Sequence, residues 1–129
     1  MGRTIDDVES YLFRLDRRFE REGDTFIVAS GVDGTPIAVS VAGSIVMVDV
    51  AIGKAPSDEA RQLAVFRRLL EHNVADLLYT SYGLDGSELI LSGSLELENL
   101  DLNELGAVLA DIEVALVRHV PELKKLALG

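Results

Sequence analysis

Cysteine is absent from the 129 residues, so the chain carries no disulfide frame, no thiolate metal site and no thiol nucleophile. Long apolar runs are missing too. The longest, such as "SIVMVDVAI" at 44–52, fall well short of the ~20 residues of a membrane helix. A basic leader followed by an apolar stretch is also lacking, because "MGRTIDDVES" places acids where a signal peptide would be basic and then apolar. These absences lead to the expectation of a cytoplasmic protein. Basic residues are scarce in one half: Asp76 to Glu113 holds nine acids and no Lys or Arg. With a net charge of −10 and acids interleaved among Arg14, Arg17, Arg18 and Arg21, the surface repels phosphate backbones. Nucleic acid is therefore not an expected partner.

What is present is a globular composition, 48% hydrophobic and 26% charged, in a length suited to one domain, 1–129. "TIDDVESYLFRLDRRFERE" predicts a helix, since Ile5, Val8, Leu12, Leu15 and Phe19 form one apolar stripe. Thr4 suits its cap and Gly23 its stop. Tyr11 and Phe13 flank the stripe and either widen the buried face or stay exposed. Three strands follow, "TFIVAS" (25–30), "PIAVSVA" (36–42) and "IVMVDVAI" (45–52), joined by short Gly-containing turns that imply an antiparallel meander. Asp49 in the third strand requires either a wet face or an ion pair.

"SDEARQLAVFRRLLEHN" predicts the second helix, with Leu63, Phe66, Leu70 and Val74 as the inward stripe. Val65 and Leu69 fall on another side, rimmed by Arg61, Arg68 and His72. A second apolar patch framed by charge suggests that this helix is covered twice, once by the sheet and once by another copy of the chain. "DLLYTSY" (76–82) is read as a fourth strand. "ELILSGSLELE" (88–98) is the fifth, with Leu89, Leu91, Leu95 and Leu97 on one face and Gly93 marking a bulge. A last helix starts at Asp101 with Glu104 as its capping-box partner, and Pro121 ends or kinks it. The "ELKKLALG" beyond forms a short docking turn or a loose tail. The order α-β-β-β-α-β-β-α predicts an α+β domain with a five-stranded antiparallel sheet.

Catalytic patterns are missing. His72 and His119 each sit at a predicted helix C-terminus, where the dipole favours an imidazolium, and Asn73 reads as a left-handed closing residue. The sequence shows no nucleophile elbow, no H-E-x-x-H, no calcium loop and no phosphate loop. The expectation is a protein that is not an enzyme and uses neither cofactor nor metal.

The stretch "LLEHNVADLLYTSYGLDGSELILSGSLELENLDLNELGAVLADIE" resembles the class I type III secretion chaperones, the Tir chaperone family. In that family a helix ending in "LL..N" is followed by a strand, a turn, a leucine-alternating strand and a leucine-rich helix. YbjN-like proteins share this order. The resemblance implies a non-catalytic α+β homodimer, built on the helix before "LL..N", that holds an extended segment of a client protein. It makes Tyr11, Phe13 and Ile27 candidate client contacts, and it agrees with a dimer interface at Arg61, Val65, Arg68, Leu69 and His72. A regulatory or stress-related domain of YbjN type is the alternative. The chain departs from the family in lacking the tryptophan often found in the last helix.

Overall fold

A computed structural model describes residues 2–128. Four helices and six strands run α1 (Ile5–Arg14), β1 (Phe19–Glu22), β2 (Thr25–Ala29), β3 (Pro36–Ala42), β4 (Ile45–Lys54), α2 (Glu59–Ala75), β5 (Ser81–Asp85), β6 (Glu88–Glu96), α3 (Leu102–Arg118) and α4 (Val120–Leu128). The strands form one antiparallel sheet in the order β1-β2-β3-β4-β6-β5. The expected α+β architecture is present, with six strands in place of five.

The extra strand comes from the end of the first predicted helix. α1 stops at Arg14, because Asp16 takes a left-handed backbone with φ of 58°. The Arg17 N–H then bonds the Leu12 carbonyl and the Asp16 N–H bonds the Phe13 carbonyl, which is a Schellman closure. Freed from the helix, Phe19–Glu22 pairs with β2, and Gly23 forms the hairpin turn with φ of 62°. Gly23 therefore ends no helix. The helix stripe is still used, since Phe19 meets both Phe13 and Phe26 edge to face, at 5.0 and 5.7 Å.

Alternation sorts the sheet into two faces. Phe26, Val28, Ile37, Val39, Val46, Val48, Val50 and Leu91 point to the covered face and are fully or almost fully buried. α1 and α3 pack over this face. Their alignment is held by the capping box of Asp101 and Glu104 and by the Tyr11 hydroxyl donating to the Leu100 carbonyl at 3.1 Å. The predicted leucine row holds, with Leu89, Leu91 and Leu97 buried and Leu95 packed against the core.

Gly93 is not a bulge. It pairs in register with Val48, and the irregularity lies between Ala51 and Gly53. Gly93 is needed because the chain entering β5 crosses directly over it. A Cβ there would lie 2.8 Å from the Tyr79 carbonyl oxygen and 3.2 Å from Thr80 Cγ2. Gly93→Ala is expected to lower stability by about 1–3 kcal/mol through this overpacking. A urea midpoint equal to that of the wild type would contradict it.

The crossing segment also explains why the fourth predicted strand is misplaced. Residues 77–80 do not pair, because their N–H groups are taken elsewhere. The Asp111 carboxylate of α3 accepts from Leu78 N, Tyr79 N, Thr80 N and the Thr80 hydroxyl, while Leu77 N bonds the His72 carbonyl. Strand pairing therefore begins only at Ser81.

A bidentate pair at Glu113, two residues beyond Asp111, also anchors α3. Arg17 Nη1 and Nη2 bond Glu113 at 2.7 and 2.8 Å, and the Gly31 N–H bonds the same carboxylate. The Arg17 hydrogen bonds, helped by Gly31, hold the Glu113 carboxyl below the usual carboxylate range. A depressed acid stabilises the fold above its unfolded value of about 4.3 and stops doing so as pH falls through the lower folded value. Glu113→Gln is expected to cost about 1–3 kcal/mol at neutral pH. It should also flatten the acid-side fall in stability, followed as urea midpoint between pH 7 and pH 3. A variant curve parallel to the wild-type curve would argue against this role.

Candidate functional site

The second helix is turned the other way from the sequence expectation. Val65, Leu69 and His72 are buried, at 1, 5 and 3% exposure, whereas Leu63, Leu70 and Val74 are exposed at 70, 65 and 89%. The cause is the C-terminal segment, which is neither a loose tail nor a docking turn. Residues 120–128 form α4, with Pro121 in its first turn, where a missing N–H does no harm. α4 lies along α2 and buries Leu123 with Val65 and Leu69 among the core residues. Arg68 is engaged in the same contact, bonding Glu122 at 2.6 Å. The apolar part of the patch predicted to face a second copy is therefore filled by the chain's own end, while Arg61 stays exposed and Arg68 partly so.

Among the described residues, where Leu78, Tyr79, Val114 and Val117 are exposed as well, two further apolar surfaces offer room for a partner. The first is the outer stripe of α2, Leu63, Phe66, Leu70 and Val74. It is extended by a groove in which Phe66 and Leu70 face Leu84 of β5. The second is the outward face of the sheet. Glu20, Ile27, Ala38, Asp49, Ser92 and Ser81 form one row across it, as the strand registers show. Met47 lies in the next row, with Ser40 and Ser94 as its neighbours, and both Met47 and Ile45 are exposed. Small side chains flank the larger ones, so the surface is shallow and open. Asp49 sits half-buried in it, without a hydrogen bond or ion pair among the described residues, and partial burial pushes its carboxyl up.

The candidate client contacts are not brought to one place. Ile27 lies on the open face and shares a groove with Arg18, Phe19 and Pro36. Phe13 is exposed on the helix side, edge to face with Phe19. Tyr11 is buried in the core with its hydroxyl used internally, so it presents no surface. Met47 and Ile45, on the same strand as Asp49, were not among the contacts expected from the sequence.

The end of α2 holds a polar cluster the sequence did not reveal. His72 and His119, 47 positions apart, stack at a centroid distance of 3.6 Å and an interplanar angle of 17°. His72 Nδ1 lies 2.7 Å from Asp76 Oδ2 and its Nε2 lies 3.1 Å from Glu122 Oε1. His119 Nδ1 lies 2.8 Å from the Tyr82 hydroxyl, and its Nε2 is 3.4 Å from Asp76 Oδ2. The His72 hydrogen bond holds the Asp76 carboxyl down, and Arg68 does the same for Glu122. Burial, with the neighbouring His72, lowers His119. Burial also raises the Tyr82 phenol, which keeps its proton and is a poor nucleophile. Asn73 does not close the helix with a left-handed residue. It lies inside α2, and its amide bonds both the N–H and the carbonyl of Tyr82, at 2.7 and 3.3 Å, fastening β5 to the helix. Among the described residues no helix is long and apolar enough to cross a membrane.

The fold is shared with solved structures. A chain in the heterodimeric ExoU–SpcU complex of the Pseudomonas aeruginosa type III secretion system superposes with a TM-score of 0.71 at 19% identity, covering 88% of this chain and 95% of that one. YbjN of E. coli gives 0.61 at 15%, covering 88% and 92%. The Yersinia pestis type III secretion chaperone SycH, solved with a fragment of YscM2, gives 0.59 at 17%, covering 93% and 99%. No curated protein sequence matches the chain. The CesT_Tir_1 family model matches residues 1–129. With a match along its whole length, the chain belongs to that family, the family of type III secretion chaperones.

Proposed function

We propose that the protein is a non-catalytic, homodimeric binding module that holds an extended segment of a client protein before export from the cytoplasm. Family and fold both point to a binding protein rather than to an enzyme. The observation that carries the proposal is the pair of open apolar surfaces, the α2 stripe and the outward face of the sheet. The α2 stripe of Leu63, Phe66, Leu70 and Val74, with Arg61 at its rim, is long and regular, which suits pairing with the same helix of a second copy. The open sheet face, with Ile27, Ile45 and Met47 among small and polar neighbours, suits an extended peptide whose apolar side chains need shallow seats. Phe13, beside the β1 edge, adds a further contact. The net charge of −10 keeps such a surface soluble and favours clients with basic segments. Related folds are recorded with bound proteins, including the HopA1–SchA chaperone–effector complex and the ExoU–SpcU heterodimer.

Affinity capture from the source cell followed by limited proteolysis tests this reading. The expected result is one co-purifying protein with a single short segment protected and the rest of that segment's surroundings open to protease. Capture of a folded, fully protease-resistant protein would instead favour a regulatory domain, the reading that the likeness to YbjN supports.

A further inference from the structure

We infer that His72, Asp76 and His119 form a binding site for one divalent transition-metal ion of the zinc class, locking α2 to the α3–α4 corner. One ligand atom from each of His72, Asp76 and His119 lies within 4.8 Å of the other two. Two imidazoles and one carboxylate are a ligand set that zinc and its neighbours favour over calcium or magnesium. Metal–ligand bonds of 2.0–2.2 Å in a tetrahedron place ligand atoms about 3.3–3.6 Å apart. The 3.4 Å from Asp76 Oδ2 to His119 Nε2 falls in that range, and the 2.7 Å to His72 Nδ1, now a hydrogen bond, would lengthen on binding.

The nitrogens not used as ligands are already occupied. His72 Nε2 faces the Glu122 carboxylate and His119 Nδ1 faces the Tyr82 hydroxyl, at 3.1 and 2.8 Å. The Glu122 carboxylate only accepts, which keeps a proton on His72 Nε2 and leaves the Nδ1 lone pair for an ion. The Tyr82 hydroxyl can accept from His119 Nδ1, the tautomer in which Nε2 presents its lone pair to the ion. The ion takes the place of the proton now shared between His72 and Asp76. Because a lone pair lies in its ring plane, binding requires the stacked rings to rotate well away from 17° so that both planes meet at the ion. Both rings are buried, while the half-exposed Asp76 leaves a route for the ion and for a water as fourth ligand. Helical spacing puts His72 and Asp76 on one face, and the turn between α3 and α4 brings His119 to them.

Chelator-stripped, untagged protein titrated with zinc chloride against a chromogenic competitor should bind one zinc per chain. His119→Gln and Asp76→Asn should each weaken that binding at least tenfold, while the surface control Glu9→Gln leaves it unchanged. Because the chain has only two histidines, ring-nitrogen NMR of the wild type needs no variant to fold. One equivalent of zinc should shift the signals of both rings. Unmoved ring signals, or zinc binding weakened less than tenfold in both variants, would overturn the assignment.

Discussion

Leu70→Glu is expected to halve the sedimenting mass, from twice the 14.0 kDa of the chain to 14.0 kDa, without unfolding it. Leu70 stands at the centre of the exposed α2 stripe, between Phe66 and Val74, and is 65% exposed in the single chain. In a two-fold pair it meets its own copy's stripe, and a glutamate there buries two like charges in an apolar contact. Each uncompensated charge costs several kcal/mol, enough to move a micromolar dimer out of reach. The single chain loses almost nothing, because surface substitutions of this kind stay within about 0.5 kcal/mol. Val65→Glu gives the contrast. Val65 is 1% exposed under α4, so a glutamate there should unfold the chain before any question of dimerisation arises. If both variants behaved alike in urea, the orientation of α2 would be wrong.

Phe26→Ala should produce the largest loss of stability of any substitution that only removes apolar atoms from the core. Phe26 is fully buried at the centre of β2, paired with Val39 and Arg21, and its ring touches Phe19 edge to face. The Arg21 guanidinium carbon lies 5.4 Å from the ring centroid, a cation–π contact that ties the edge strand β1 to the same side chain. Removing a buried phenyl costs about 3–5 kcal/mol in lost transfer energy and residual cavity. Against a total of about 5–15 kcal/mol, this leaves a marginal fold. The melting temperature should drop by more than about 10 °C. A drop of only a few degrees would mean that β1 and α1 collapse into the vacated space.

Periodicity carried most of the fold. The alternating strands, the capped third helix and the leucine row of β6 are legible because one face of each is buried and the other wet. The α2 orientation was not legible, because that helix has apolar residues on two sides. Which side faces inward is decided by α4, whose residues lie 54 positions from their partners in the Arg68–Glu122 pair. The same gap hid the polar cluster. His72 and Asp76 continue the line of Val65 and Leu69 at helical spacing, and that polar end to an apolar stripe was the one available signal. The early stop of α1 at Asp16 also escaped, since a left-handed aspartate competes with a helix pattern that runs on to Phe19. For β5, hydrogen-bond capture of 78–80 by Asp111 overrode β-propensity, a long-range effect that no local pattern encodes.

Photo-crosslinking from position 47 in the source cell tests the central claim most directly. Met47 is exposed on the open sheet face, and Arg118, on the exposed side of α3, serves as the control position. The account predicts a crosslink from position 47 to one short segment of a single client protein, and none from position 118. Equal crosslinking from both positions, or none from position 47, would contradict it.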